Sequence, residues 1–329
     1  MKLTRDSPEN ELPTVPRYNI TKLNFREVDL LNSEKGMAAD VSVDIENRYP
    51  VKFTIPPLGF DVLVQDCSPD LPYLRLADAT TEQIQVEPKQ NVKVQVGGSI
   101  RQLPDHLTAA CPQTQKSPLD NLVRNYISGD ETTVYIRGSN APSEDTPDWV
   151  TVLIKSVTVP VPFRGKTFEG LIRNFSLTDV HFGLPDPFSS PGSPDSQPRI
   201  SAMVKALVGL PKEMNFPISV AHVRADADVY YRNKKLGELD LSQWQEANST
   251  RIEAHGDTEA GLAVESTVKN APLKITDDDV FAKVVKAMLF GSDKVVLGVK
   301  AEVDVETETA LGKFVVRGIP AEGKFFVKR

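Results

Sequence analysis

The 329-residue sequence has no run of about 18 apolar residues, no block of Lys or Arg, and only two cysteines. The first absence excludes a membrane-spanning helix within the chain, which as given reads as soluble. The second, with a net charge of −7, argues against nucleic acid, because a surface that tracks phosphates needs clustered cations. The two cysteines, Cys67 and Cys111, lack Cys-x-x-Cys spacing and flanking histidines. A metal site is therefore not expected, and a disulfide or two buried thiols remain.

The motifs of catalysis are missing as well. There is no Gly-x-Ser-x-Gly elbow, no phosphate loop and no dinucleotide fingerprint, and Val96-Gly97-Gly98-Ser99 ends a strand pattern with no helix after it. His106, His181, His222 and His255 fall in four unrelated segments, which suits neither a metal nor a triad. Asp277, Asp278 and Asp279 precede an apolar helical stripe and read as capping and helix-dipole chemistry rather than a cation loop. Asp226 and Asp228 alternate with alanines, as on the wet face of a strand. No catalytic residue, metal or cofactor is expected, and the chain reads as a non-enzyme.

What is present is a repeat. Ile20/Ile172, Leu23/Phe175, Phe25/Leu177, Val28/Val180 and Leu30/Phe182 recur at one spacing. Val41/Val204, Val43/Ala206, Ile45/Val208, Phe53/Phe216 and Ile55/Ile218 recur at a spacing eleven residues longer. The extra length lies in the loop LPDPFSSPGSPDSQP, since loops absorb insertions and strands do not. The expected organisation is an irregular linker over 1–16, a first module over 17–163 and a second, divergent one over 164–329. The polar start MKLTRDSPENELPTVP is unlike a signal peptide, so any membrane attachment would come through an upstream segment.

With Val recurrent and only five Met, strands are favoured. In the first module ITKLNFREVDL, AADVSVDIEN, VKFTIPPLGFDVLV, EQIQVEPKQNVKVQVGGSI, TTVYIRG and WVTVLIKSVTVPVPF read as strands. The Pro56-Pro57 and Gly97-Gly98 pairs are placed at edges, bends or bulges. Leu119, Leu122, Val123, Tyr126 and Ile127 form one helical stripe, with Ser117 as N-cap, Pro118 first, Asp120 in the first turn and Gly129 as the stop. Phe281, Val284, Val285, Met288 and Leu289 repeat it in the second module. The fold expected is mostly β: two tandem immunoglobulin- or fibronectin-like β-sandwiches, each with one short amphipathic helix.

A single short helix cannot seal a sandwich end. The ten residues of the two stripes are thus candidates to line an apolar crevice between helix and sheet, unless neighbouring side chains fill it to ordinary core density. Lipid is the ligand class such a gap would suit. Three acceptor triplets make Asn19, Asn174 and Asn248 candidate glycosylation sites.

The segments VSVDIENRYPVKFTIPPLGFDVLV, NVKVQVGGSI, NLVRNYISGDETTVYIRG and VTVPVPFRGKTF, in that order, resemble the late-embryogenesis-abundant group-two domain, also called the water-stress and hypersensitive-response domain. Asn47 and Pro50 stand at the bend of that pattern, whereas the second module has Gly209-Leu210-Pro211 there. Tandem copies, with the ending GKFVVRGIPAEGKFFVKR, are similar to the lumenal part of a family of fungal vacuolar membrane proteins implicated in terminating autophagy. The resemblance implies a noncatalytic module in the vacuole lumen, attached to the vacuolar membrane and working through an unidentified protein partner or through lipid. A lumenal setting predicts that Cys67 and Cys111 are disulfide-bonded.

Overall fold

The computed structural model describes residues 16–29, 35–128, 130–140, 142, 146–164, 172–185, 188–190, 196–255, 260–291 and 295–327. Most of the expected linker, the Gly129 stop, Leu30 of the repeat and parts of the long loop after Leu184 lie outside them. Among the described residues strands make up 61% and helices 13%. The first half comprises β1 (Tyr18–Asp29), β2 (Lys35–Ile45), β3 (Phe53–Ile55), β4 (Gly59–Val64), β5 (Leu74–Thr81), β6 (Ile84–Val86) and β7 (Val92–Ile100). Two helices follow, α1 (Asp105–Thr108) and α2 (Pro118–Ser128), then β8 (Glu131–Gly138), α3 (Asp148–Lys155) and β9 (Thr158–Arg164). The second half comprises β10 (Ile172–Gly183), β11 (Arg199–Gly209), β12 (Met214–Asn215), β13 (Ile218–Tyr231), β14 (Lys234–Ile252), β15 (Gly261–Ile275), α4 (Asp278–Phe290), β16 (Val295–Thr309) and β17 (Gly312–Val327).

Strand order makes the duplication visible. The eight-stranded sheet runs β12-β1-β2-β7-β5-β4-β8-β9 and the seven-stranded sheet β10-β11-β15-β14-β13-β16-β17. Setting aside β12 and the small β3-β6 pair, each half has its principal strands in the order first, second, fifth, fourth, third, sixth, seventh. That is the immunoglobulin arrangement of a four-strand and a three-strand face, joined here through the hairpin of the third and fourth strands. In each half a helix, α2 or α4, connects the fifth strand to the sixth. The sheets curl so that their ends approach: the Tyr18 hydroxyl of β1 donates to the Pro162 carbonyl of β9, and the open side of Gly323 in β17 is covered by the Phe175 ring of β10.

The opening hairpins differ in register. Leu23 faces Val41 in the first half, but its counterpart Phe175 faces Ala206, the counterpart of Val43. The shift is by two residues, the smallest that leaves every side chain on its own face.

Four expectations are corrected. The stretch WVTVLIKSVTVPVPF is not one strand. Pro147 and Asp148 open α3, and Gly138 lets it pack closely, since a Cβ there would lie 2.3 Å from Ile154 Cγ1. EQIQVEPKQNVKVQVGGSI is two strands, β6 and β7, separated by a turn in which Lys89 has φ 54°. Gly97 and Gly98 sit in the middle of the sheet rather than at an edge or bulge. Gly98 pairs with Ala39 on one side and Ala79 on the other, a row of small residues that keeps the ladder regular. Finally, β5 and β14, the fourth strand of each half, went unread because their sequences are rich in polar residues.

The largest core lies in the second half, where 17 buried side chains, among them Val229, Leu236, Leu273, Val284 and Leu297, form one cluster. In the first half a cluster of four, Ile84, Val86, Val92 and Val94, packs under β3.

Candidate functional site

Helix α2 begins with a reciprocal cap: the Ser117 amide donates to Asp120 Oδ2 at 2.6 Å and the Asp120 amide to Ser117 Oγ at 3.0 Å. Asp120 is only 1% exposed, and its remaining partner comes from the other half of the chain. The Arg317 amide donates to Oδ1 at 3.0 Å and Arg317 Nη1 to Oδ2 at 2.8 Å. A buried carboxylate is tolerated because both of its oxygens accept hydrogen bonds and a guanidinium neutralises it. Next to Arg317, Gly318 has φ +71° and donates its amide to Asp304 Oδ1 at 2.9 Å. Asp304 Oδ2 in turn accepts from Arg224 Nε at 3.0 Å and Nη2 at 2.9 Å. Arg224 lies over the Trp244 ring, 4.7 Å from its centroid. A continuous polar chain thus joins α2 to the centre of the second sheet.

At that centre the sheet parts. β14 and β15 pair at Leu239–Leu273 and again only at Ala247–Ser266, while β14 also bulges against β13 between Leu241 and Gln245. Asp240 starts the departure by accepting the Ser242 amide at 2.9 Å, and hydrogen bonding from Ser242, its side chain first and then its amide, holds the carboxyl below the usual range. Behind the gap is a cavity of about 100 Å³. Five alanines line it, Ala202, Ala225, Ala227, Ala301 and Ala321, together with larger apolar side chains and, of polar residues, Arg224, Gln245 and Ser266. At about 24 cal/mol per Å³, leaving it empty costs roughly 2 kcal/mol. A second, polar cleft of about 500 Å³ lies between the halves, bounded by Ala110, Thr114, Lys116, Asp226, Glu302 and Arg317 among others. Arg224 and Ala225 border both.

The expected crevice residues are placed as follows. Leu119 is buried, Leu122, Val123 and Tyr126 are half-buried, and the side chain of Ile127 lies outside the described residues. Burial raises the Tyr126 phenol above its ordinary value. In α4, Val284 is fully buried, Phe281, Val285 and Met288 are half-buried, and Leu289 is exposed. Val280, absent from the expected stripe, is buried instead, because the helix starts at Asp278 with Asp277 capping the Val280 amide at 3.0 Å. Neither cavity is lined by any residue of α2 or α4.

Cys67 and Cys111 are bonded to each other. Asn19 and Asn248 are exposed on strands, and the side chain of Asn174 lies outside the described residues. Among the described residues no group of three or more His, Cys, Asp and Glu is arranged to hold a metal ion, and no helix is long and apolar enough to cross a membrane. The α3 helix shows solvent an apolar face of Trp149, Val152 and Leu153, at 70%, 71% and 59% exposure. Their spacing of three and four is itself a helical signal that the Val-rich flank obscured.

Residues 214–328, from the start of β12 to the end of β17, match the model of the Tag1 C-terminal domain. The match covers about a third of the chain and omits β10 and β11 of the second half. It includes the parted sheet, Arg317 and most of the cavity lining, while Phe175, Leu177, Ile200, Ala202 and Val204 lie outside it. No curated protein matches the chain.

Proposed function

We propose that the chain is a noncatalytic interaction and sensing region of a vacuolar membrane protein that takes part in autophagy regulation, exposed to the vacuole lumen. The similarity of residues 214–328 to the Tag1 C-terminal domain carries this reading. The disulfide supports a lumenal setting, since cytosolic thiols are kept reduced. The group-two resemblance of the first half supports a module that works by contact rather than catalysis, and the exposed face of α3 gives such a module an apolar contact surface. The test is to tag the full reading frame in vacuole-bearing cells and measure protease protection of this region in isolated vacuoles, with autophagic flux after nutrient return. Protection together with delayed shut-off in the deletion strain is expected. A protease-sensitive tag, or unchanged shut-off, overturns the reading.

A second reading, lipid binding, has one observation in its favour, the apolar cavity in the second half. Co-elution of lipid from a mixed extract with the purified chain, over an unrelated β-sandwich, tests it.

A further inference from the structure

The second half keeps an unfilled space where ordinary core sequence would leave none. Five alanines surround it, and a single Leu in place of one of them would occupy much of its volume. The lining atoms are almost wholly apolar. Ser266 turns its hydroxyl away to the Glu246 carbonyl at 2.8 Å, and Gln245 donates to the Gln243 carbonyl at 3.1 Å. Water held there would find few partners, and a dry apolar space of this kind accepts hydrocarbon instead. The size is restrictive: about 100 Å³ is smaller than the roughly 150 Å³ engineered cavity that takes benzene, and well below a drug-sized pocket.

The ladder is interrupted beside this space. Between Leu239 and Ala247 β14 makes no pairs with β15, and the lining residues Leu241, Gln245, Ser266 and Val268 sit along that stretch. Trp244, stacked on Arg224, stands in the same stretch of β14.

We propose that this cavity is a binding site for a small hydrocarbon group, the end of an alkyl chain, admitted where β14 parts from β15. It rests on the ligand-binding reading and narrows it, because the space holds a chain end and excludes a whole lipid. The probes are n-pentane and n-hexane, added to the full chain in sealed cells, with 1-butanol as a polar control.

The expected result is a rise of a few degrees in the unfolding midpoint with either hydrocarbon. Methyl NMR shifts should be confined to residues that line the cavity, Leu239, Leu241, Val268 and Val303 among them, with the methyls of Leu119 and Leu122 unmoved. Ala301→Leu should abolish both responses while the parent fold is retained. If that variant does not fold, Ala202→Val, a smaller filling, should weaken them severalfold. Absent methyl shifts at saturating hydrocarbon, or shifts that persist in the filled variant, overturn the proposal. Failure of a lipid extract to co-elute, with the hydrocarbon response intact, removes lipid carriage and leaves the small-group site standing.

Discussion

The two halves share a strand order and differ in how they are held together. The first builds its sheet from strands of 12 residues or fewer and adds a disulfide, a reciprocally capped α2 and the extra helices α1 and α3. The second has strands of up to 19 residues, one helix and a core cluster of 17 buried side chains. Where the packed cluster is small, covalent and charged ties supply cohesion; where it is large, the half can leave a cavity unfilled. The helices show the same divide. α4 packs on β14 and β16 of its own half, whereas α2 packs on β8 and also on β17 of the other.

The sharpest test of this contrast is the tie between halves. Asp120→Ala is expected to cost about 3–5 kcal/mol, because it removes the carboxylate half of the α2 cap and leaves Arg317 facing a buried site without its partner. Denaturant unfolding of the full chain measures it, and a loss under about 1 kcal/mol would make the contact incidental. Replacing both Asp120 and Arg317 by Leu should recover the part due to the unpaired guanidinium and not the part due to the Ser117 and Arg317 amides, which still lack their acceptor.

Next comes the disulfide. It closes a separation of 44 residues, and opening it with Cys67→Ser and Cys111→Ser should cost about 4 kcal/mol on the chain-entropy model. Hydrogen exchange should speed up in the first half while the core strands of the second keep their protection. Equal loosening of both halves would break the comparison.

In the second half, Leu236→Ala, at a side chain with no exposure, should cost about 2–5 kcal/mol by cavity formation. The same readout should now show the reverse asymmetry. Smallest of all is Asp277→Ala, which removes the α4 cap for about 1 kcal/mol. Thermal melts resolve that change, and restoration by Asp277→Ser would assign it to capping rather than charge.

Much of the fold was legible because alternation and helical spacing are local. The repeat, both helices and their caps, and the Pro56-Pro57 break between β3 and β4 all follow from neighbouring residues. What escaped depended on partners far away. β14 carries GELDLSQWQEANS across a half-solvated strand, so its polar face hid the alternation of Leu239 and Leu241. β5, its counterpart, was missed for the same reason. α3 was misread because Val-rich sequence satisfies both periods, and only the glycine at 138 reveals that a helix lies against β8. The helical stripes pointed to a crevice beside each of α2 and α4, and the cavity described above lies instead inside the second half, lined by neither helix. It adjoins the parting of two strands, one of which has too polar a sequence to read as a strand, and no pattern in either stripe bears on it.

The tie between Asp120 and Arg317 also fixes an order of events at the ribosome. The two residues are 197 positions apart, so at about 5–20 residues per second the carboxylate waits roughly 10–40 s for its guanidinium. During that interval Ser117 can already cap α2, but the charge inside the cap has no counterion. The first half is thus made first and finished last. Any chain that stops short of β17 would carry the first-half strands without the residue that partners Asp120.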